Sequence, residues 1–203
     1  MSKRSYGQNC ALARANDVIG ERWTLLLIRD LLVAPRRFKE LLASLEGIGS
    51  NLLAKRLRDL EAAGILERKG NGARVYALSG RGRALEPAVL ALIRWGLLHG
   101  PENQPGDHHK DDWDLLALKS AFRPKRAKKL GLVVQFDADD LQGWVRIADR
   151  RMTIGLGTRA DADITINGTV GDLFLTDDDP VKLLAAGDPV DLDRFMATFA
   201  LRA

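Results

Sequence analysis

The sequence predicts an α+β protein that folds as two units, and three observations support this prediction. Apolar residues recur at helical spacing up to about residue 64 and at a spacing of two in several later segments. The polar stretch 99–112 contains two prolines and two glycines, which is typical of a linker. Residues 1–100 hold 17 basic and 9 acidic side chains, a net charge of +8, whereas residues 101–203 hold 14 basic and 18 acidic ones, a net charge of −4. We therefore place the first unit at 1–100, the linker at 101–112 and the second unit at 113–203.

The first unit is predicted to contain five helices and one β-hairpin. Its helical segments are rich in leucine and alanine, with apolar residues at steps of three and four. The predicted helices are Cys10–Ile19, Trp23–Val33, Arg37–Leu45, Ser50–Ala63 and Gly82–Leu98. Gly64 ends the fourth helix, because glycine readily adopts the left-handed conformation that closes a helix. Extended runs at 65–69 and 74–78 flank a glycine-rich turn, which predicts the hairpin.

The fourth helix has two chemically different faces. Leu53, Leu57 and Leu60 fall in one narrow stripe, and polar and basic residues fall on the opposite side. Lysine and arginine can donate to guanine edges or phosphates, and asparagine can read adenine, so this side suits a DNA major groove. The predicted contacts are Ser50, Asn51, Ala54, Lys55 and Arg58. A charged face is also typical of any surface helix, so this helix alone leaves both interpretations open.

The hairpin turn favours the nucleic-acid interpretation. The segment RKGNGAR places Arg68, Lys69, Asn71 and Arg74 within seven residues, a composition that suits contact with phosphates or entry into a minor groove. The alternative is a solvated basic turn. Two short helices joined by a tight turn and followed by such a hairpin form the outline of a winged helix-turn-helix.

Residues 10–100 resemble the HxlR family of bacterial-type transcriptional regulators, a MarR-related branch of the winged-helix proteins. The stretches that carry this resemblance occur in the family's order along nearly half of the chain. They are Cys10, Ile19–Leu26, Arg37–Leu41, Leu53–Glu61, Gly64–Arg68, Val75–Ser79 and Trp95–Gly96. The resemblance implies a homodimer, paired through its terminal helices, that binds a two-fold-related operator in double-stranded DNA. Half-sites on one face of the duplex would then be separated by roughly 34 Å.

The sequence departs from the family pattern at four places. It has Cys10-Ala11 where the family usually has Cys-Pro, and Gly20-Glu21-Arg22-Trp23 where the family usually has Gly-Lys-Trp. Gly49 replaces a hydroxyl residue, so we expect the fourth helix to be capped by Ser50 or by backbone alone. The hairpin also lacks the proline that the family often has there. The operator sequence of a relative therefore does not carry over to this chain.

Cys10 is a candidate redox sensor, because in some members of the family the matching thiol senses oxidants or electrophiles. Such a role needs thiolate character, exposure and a partner thiol. The only partner in the assembly would be Cys10 of a second subunit, and Arg14, one helical turn further on, could lower the pKa of the thiol. The alternative, which we favour from the sequence, is a small buried apolar residue at the start of a dimer helix.

The second unit is predicted to be an antiparallel sheet of four or more strands with helices on one face. The predicted strands are Leu130–Phe136, Gly143–Ala148, Met152–Gly157 and Ile164–Ile166. The predicted helices are Trp113–Phe122, Val170–Leu175, Pro180–Ala186 and Leu192–Leu201.

This order of elements resembles the sterol-carrier-protein-like domain. The segment Ala160–Ile166, the helix entered at Gly168-Thr169 and the Gly187-Asp188 pair before the last helix carry the resemblance. It implies an apolar tunnel for lipids or acyl chains. The residues that would line it are Trp113, Leu116, Trp144, Met152, Phe174, Leu184, Phe195 and Phe199. The alternative, favoured for any single one of them, is that these side chains simply fill a core, since a shared fold does not establish a ligand.

Other classes of function find little support in the sequence. No apolar run reaches the roughly 18 to 20 residues that cross a bilayer, and the start of the chain lacks a secretory signal, so we expect a cytoplasmic protein without membrane contact. We expect no cofactor, no metal and no enzymatic activity, because no catalytic group is recognisable and His108-His109 lies in the linker. The sequence thus predicts a homodimeric DNA-binding transcriptional regulator, whose second unit binds a small hydrophobic ligand that modulates it or strengthens the dimer. The alternative is a lipid or acyl-chain carrier whose basic unit docks it to acidic surfaces.

Overall fold

The computed structural model describes residues 5–70, 75–175 and 179–200 of the chain. The chain forms two compact units, Met1–Val89 and Leu90–Ala203. The first is mainly helical with a two-stranded sheet, and the second contains a five-stranded sheet with helices. The predicted α+β class is confirmed. Within the described residues, no helix combines the length and the apolar character that crossing a membrane requires.

The elements of the first unit follow the predicted order. They are α1 (Ala11–Ile19), α2 (Thr24–Val33), α3 (Phe38–Ser44), α4 (Ser50–Ala62), β1 (Leu66–Lys69), β2 (Val75–Leu78) and α5 (Gly80–Arg83). Helix α6 (Glu86–His99) begins in this unit and continues beyond its boundary at Val89. The single helix predicted from Gly82 to Leu98 is wrong at its start, because the chain forms α5 and then begins α6 at Glu86. Pro87 lies in the first turn of α6, where a missing N–H removes no helical hydrogen bond.

The core of the first unit is the leucine-rich side of its helices. Leu27 and Ile28 of α2, Leu41 of α3 and Leu53 and Leu57 of α4 are all at most 1% exposed. The helical spacing that predicted α4 therefore corresponds to the face that is buried.

A third segment joins the hairpin, and the sequence did not predict it. Arg36 and Tyr76 form an isolated antiparallel bridge, in which the N–H of each donates to the carbonyl of the other at 3.0 and 2.8 Å. One bridge is too short to leave a periodic pattern in the sequence. It holds the segment between α2 and α3 against β2, so the hairpin is tied to the helices that precede it.

The second unit has one mixed sheet. Its elements are α7 (Asp111–Ala121), β3 (Leu132–Ala138), β4 (Leu141–Ala148), β5 (Arg151–Leu156), β6 (Ile164–Asn167), α8 (Val170–Leu175), a 3-10 helix (Pro180–Leu183), β7 (Leu184–Ala186) and α9 (Pro189–Met196). Helix α7 begins at Asp111, inside the stretch predicted as linker. The strand order is β5-β4-β3-β6-β7. The wholly antiparallel sheet that the sequence predicts is wrong, because β6 pairs with β3 in parallel.

Two helix predictions near the end of the chain are also wrong. The segment Pro180–Ala186, predicted as one helix, is a 3-10 turn followed by β7, which pairs with β6 at the sheet edge. Leucine and alanine favour helix, but pairing with β6 outweighs that local preference. The last helix runs over Pro189–Met196 instead of Leu192–Leu201, and its start is capped by Asp188, whose side chain accepts from the Val190 N–H.

The inner face of the sheet packs against helices on that side. Phe136 and Gly143 are paired across β3 and β4 and share this face. The Phe136 ring lies 6.3 Å from that of Phe195 in α9, and a Cβ added to Gly143 would lie 3.0 Å from Leu115 in α7. Both helices therefore cover the same face, as predicted.

The outer face is crossed by the connection between β5 and β6. Gln135 and Trp144 pair across β3 and β4 on this face. The Arg159 guanidinium lies 5.0 Å from the centre of the Trp144 ring, and the Arg159 N–H donates to Gln135 Oε1 at 2.9 Å. This crossing carries the chain from β5 over β4 and β3, which explains how β6 comes to lie parallel to β3.

Candidate nucleic-acid interface

Helices α3 and α4 form a helix-turn-helix with a short connection. The first turn of α3 is fixed by Glu40, whose carboxylate accepts from the Arg37 N–H at 2.6 Å. In the connection, the Ile48 N–H donates to the Leu45 carbonyl at 3.0 Å, and both side chains are buried. Gly47 has a φ of 87°, a conformation that glycine adopts at little cost. The turn therefore has a defined geometry, and it sets the direction in which α4 leaves the core.

The start of α4 is capped by backbone alone. Gly49 is the N-cap residue and supplies no side-chain hydrogen bond, whereas Ser50 is the first helical residue and is exposed. The first N–H groups of the helix are thus not occupied by a capping side chain. Such groups, at the positive end of the helix dipole, suit a phosphate oxygen.

The face of α4 opposite its buried leucines carries the residues that the sequence selected. Asn51, Lys55 and Arg58 are exposed, as is Ser50, and Ala54 is half-buried. Asn51 and Arg58 make no side-chain hydrogen bond or ion pair to any described residue. Lys55 pairs with Asp59 at 2.7 Å, with both side chains about half exposed. An exposed pair of this kind contributes little and exchanges readily, so all three polar side chains are accessible to a ligand.

Arg56 is a residue of α4 that the sequence analysis missed. Its guanidinium bonds to Glu21 at 2.6 Å and lies 3.5 Å from Asp59, and its side chain is only 12% exposed. Glu21 lies between α1 and α2, so this ion pair ties that connection to the helix. Arg56 therefore helps to position α4. Because Glu21 is distant in the sequence, the local pattern around Arg56 did not predict this ion pair.

Two basic side chains of the hairpin form ion pairs with neighbouring carboxylates. Arg68 donates to both carboxylate oxygens of Glu61 at 2.6 and 2.7 Å and lies over the Tyr76 ring. This hydrogen bonding is the main cause that raises the pKa of Arg68 above its ordinary value. Lys69 pairs with Glu67 at 3.0 Å. Asn71 and Arg74, also predicted to contact DNA, lie outside the described residues.

The Arg68 pair leads to a prediction about Glu61. A phosphate must compete with this carboxylate for the guanidinium, so Glu61→Gln is expected to tighten binding to every DNA duplex about two- to tenfold. The expected range is small because an exposed ion pair contributes little, and it includes the loss of one charge that repels the duplex. Fluorescence anisotropy with several unrelated duplexes checks it. Asp172→Asn, an equal change of charge in the second unit, should leave affinity almost unchanged, and weaker binding by Glu61→Gln would contradict the prediction.

The end of α4 and the hairpin are joined by a compact set of hydrogen bonds. Ser79 Oγ donates to the Gly64 carbonyl at 2.7 Å and accepts from the Gly82 N–H at 3.1 Å. Arg81 donates to the Ala63 carbonyl at 3.0 Å. Gly82 is buried, and a Cβ on it would overlap the Ile65 carbonyl oxygen and lie 3.0 Å from the Leu78 side chain. This joint positions the hairpin relative to α4.

Cys10 is exposed in the described chain. This exposure is that of a single chain, so burial of Cys10 at the start of a dimer helix stays a prediction. The nearby backbone N–H groups of Ala13 and then Leu12 lower the pKa of the thiol. These groups belong to the open start of α1, so the helix terminus has the effect that the sequence analysis assigned to Arg14. Redox sensing by Cys10 stays a prediction.

The eight residues selected for an apolar pocket do not surround one volume. Leu116, Met152, Phe195 and Phe199 are buried, and the rings of Phe174, Phe195 and Phe199 contact one another at 4.9 to 6.3 Å. Leu184 is half-buried in β7 opposite Ile166. Trp144 lies on the outer face of the sheet, and Trp113 packs edge-on against His108 and His109. The pattern of alternation in β4 separates Trp144 from the others.

The beginning of α7 gathers histidine and carboxylates without forming a metal site. His109 Nε2 lies 3.3 Å from Asp114 and 3.6 Å from Asp111. Burial raises the pKa of Asp114 above its ordinary value, and the nearby His109 opposes that rise. Over residues 5–70, 75–175 and 179–200, no cluster of three or more histidine, cysteine or acidic side chains is suited to hold a metal ion.

Comparison with known proteins locates the first unit in a family. The model of the HxlR-like helix-turn-helix family matches residues 18–104. An uncharacterized HTH-type transcriptional regulator of Mycobacterium tuberculosis is 36% identical over 111 residues, which are 52% of this chain and 68% of the relative. The HTH-type transcriptional regulator YodB of Bacillus subtilis is 33% identical over 85 residues, 40% of this chain and 76% of the relative. The solved reduced form of YodB covers 49% of this chain and 100% of its own, with 30% identity and a TM-score of 0.40.

Proposed function

Because the chain belongs to the HxlR-like helix-turn-helix family of transcriptional regulators, we propose that it reads operator DNA with α4 and holds the phosphate backbone with the β1–β2 hairpin. The observation that carries this proposal is the contrast between the two faces of α4. Leu53, Leu57 and Leu60 are buried, whereas Asn51 and Arg58 are exposed and bonded to no described residue. Side-chain N–H groups that have no partner among the described residues, on the exposed face of a helix fixed by its buried leucines, suit direct readout of base edges. Membership of a regulator family also favours a non-enzymatic role.

We assign different parts to the different side chains. Arg58 and Asn51 would donate to base edges, because both are free to adopt the geometry that a base requires. We expect Lys55, Arg68 and Lys69 to contact phosphates. Each would exchange its ion pair with a carboxylate for an ion pair with a phosphate. Ser50, at the open start of α4, is placed for a phosphate contact. Asn71 and Arg74 keep their assignment to the backbone on sequence grounds.

Arg58→Ala is expected to reduce the preference for the operator over random DNA about 5- to 150-fold. This range corresponds to about 1 to 3 kcal/mol, the contribution of one good base contact. The operator is first obtained by selecting bound duplexes from a random pool. Affinities of the selected and a scrambled duplex are then measured by fluorescence anisotropy at one salt concentration, since phosphate contacts depend strongly on salt.

A matched control separates readout from charge. Arg146→Ala removes an exposed arginine from β4 and should leave the preference unchanged. Equal losses of affinity for both duplexes in Arg58→Ala would assign Arg58 to the phosphate backbone. If the unaltered protein bound every duplex equally, the operator proposal would fail. The alternative, a lipid or acyl-chain carrier with a basic docking unit, would then be favoured.

We also propose that the protein acts as a homodimer. On α6, the large apolar side chains Leu92, Trp95 and Leu98 recur at steps of three and are 52%, 60% and 40% exposed. On α1, Leu12 is 69% exposed. Helices with apolar faces open to water favour association with another protein surface. A second copy of the chain is the partner that two-fold-related half-sites require.

The second unit is proposed to bind a small apolar ligand in the manner of the sterol-carrier-protein-like domain that its sequence resembles. The support is the helix-covered inner face of the sheet, where the rings of Phe174, Phe195 and Phe199 meet. On this proposal Trp144 takes no part, because it lies on the outer face. Ligand binding would alter DNA binding only by favouring one arrangement of the recognition helices.

Thermal-shift measurements with fatty acids, sterols and aromatic compounds test the ligand proposal. A compound that binds is expected to raise the unfolding temperature and to change operator affinity about 5- to 150-fold, a coupling of about 1 to 3 kcal/mol. Leu116→Ala should weaken the shift, whereas Val190→Ala, at an exposed site in α9, should not. Stabilisation without a change in operator affinity would rule out the coupling, and no shift with any compound would rule out the ligand.

A further inference from the structure

A surface cleft of about 530 Å³ lies in the second unit at one end of the sheet. One wall is the segment that leads into β3, and the other is the tight turn that joins β4 to β5. The residues that line it are Lys128, Lys129, Leu130, Gly131, Ala148, Asp149 and Arg150. None of them belongs to the apolar set or to the DNA-binding set described above.

The cleft is strongly basic, and its cations are not neutralised. Lys128, Lys129 and Arg150 against the single carboxylate of Asp149 leave a net charge of +2. These side chains are exposed, and none makes a hydrogen bond or an ion pair with another side chain in the described part of the chain. Arg68 and Lys69 in the first unit's hairpin, by contrast, each have a carboxylate partner. Three uncompensated cations around one concavity attract an anion.

The backbone of the cleft is held in an unusual conformation. Only four non-glycine residues in the described ranges have positive φ, and three of them, Lys129, Asp149 and Arg150, line this cleft. The two central residues of the β4–β5 turn both have positive φ, an arrangement for which asparagine and glycine are the favoured residues. Lysine and arginine therefore occupy positions where a smaller residue would cost less. The positive φ values therefore hold Lys129, Asp149 and Arg150 within the two loops that line the cleft.

We propose that this cleft binds a small molecule that carries a phosphate group. A phosphate has a charge between −1 and about −2 near neutral pH, which the net charge of the cleft matches, and lysine binds phosphate as a point charge. The volume lies in the range of small-molecule sites, roughly 300 to 1,000 Å³. Leu130, which is buried, and Ala148 also line the cleft and would contact an apolar part of such a molecule.

The test uses the full-length protein and three probes, which are inorganic phosphate, pyrophosphate and ribose 5-phosphate, with sulfate as a simple anion. Isothermal titration at low salt is expected to show binding of at least one phosphate probe in preference to sulfate. Stronger binding of ribose 5-phosphate would indicate an organic phosphate, and stronger binding of the inorganic probes a free one. Affinity should fall about tenfold or more in Lys129→Asn/Arg150→Asn, because both charges are lost while asparagine tolerates positive φ.

The control variant Lys182→Gln/Arg146→Gln makes the same change of charge at exposed positions outside the cleft and should bind the probes normally. Unchanged thermal unfolding of the asparagine variant would show that the fold is retained. The proposal is overturned if no probe binds at about 10 mM, the upper end of the weak affinities expected of an exposed site. It is also overturned if the asparagine variant binds as well as the unaltered protein. A loss of DNA affinity in that variant, without binding of any small probe, would assign these cations to the DNA backbone instead.

Discussion

The double variant Leu92→Asp/Trp95→Asp is expected to be monomeric and to bind its operator about 100-fold or more weakly than the unaltered protein. Both side chains lie on α6, are more than half exposed and are large and apolar. Burying two carboxylates in an apolar contact is far more costly than leaving them in water, so the variant should not associate. A monomer engages only one half-site. It loses the effective-concentration gain from a second linked site, about 10²- to 10⁴-fold.

Light scattering coupled to size-exclusion chromatography gives the mass, and anisotropy with the selected operator gives the affinity. The control Val181→Asp/Val190→Asp replaces two exposed apolar residues of the second unit by aspartate and should remain dimeric. A variant that stays dimeric would remove α6 from the interface. A monomeric variant with full operator affinity would instead contradict the need for two recognition helices.

The substitution Gly82→Ala is expected to destabilise the first unit by about 3 kcal/mol, at the upper end of the cost of inserting an atom into a packed site. An added Cβ would overlap the backbone oxygen of Ile65, which cannot move away as the end of a flexible side chain can. Gly82 also donates its N–H to Ser79, whose hydroxyl bonds to the end of α4. The variant should therefore lose operator affinity as well as stability.

Urea unfolding followed by circular dichroism checks this prediction, with the transition of the first unit expected at a lower urea concentration. Gly80→Ala is a close control, since it lies two residues away in α5 with no atom within 4 Å of the added Cβ. That change should be neutral or slightly stabilising, because alanine favours helix over glycine by up to about 1 kcal/mol. Equal stability of the two variants would show that the contacts around Gly82 adapt to an added Cβ without a loss in the free energy of unfolding, which would contradict the prediction.

The sequence was most informative where structure depends on neighbours along the chain. The spacing of Leu53, Leu57 and Leu60 predicted both α4 and its buried face, and Gly64 predicted its end. The same helical spacing predicted that Asn51 and Arg58 are exposed. Two short helices followed by a basic hairpin indicated a winged helix-turn-helix. Stretches of residues in family order carried the resemblance to the HxlR family, and comparison with relatives confirmed that resemblance.

The predictions of strand pairing and of secondary structure failed where they depend on residues that are distant in sequence. Pairing of β6 with β3 in parallel and the strand at Leu184–Ala186 both depend on the crossing of the chain over the outer sheet face. None of these contacts leaves a period in the local pattern.

By itself the sequence determined the family, the helical unit, the change of charge between the halves and the residues on the outer face of α4. These follow from periodicity and residue chemistry, which act over a few residues. Only the tertiary structure decided which cations are free. In the tertiary structure Arg68 pairs with Glu61 and Arg56 pairs with Glu21. Arg58 and Lys129 have no side-chain partner among the described residues. The physical reason is that an ion pair forms between atoms a few ångströms apart, and folding brings such atoms together across any distance in sequence.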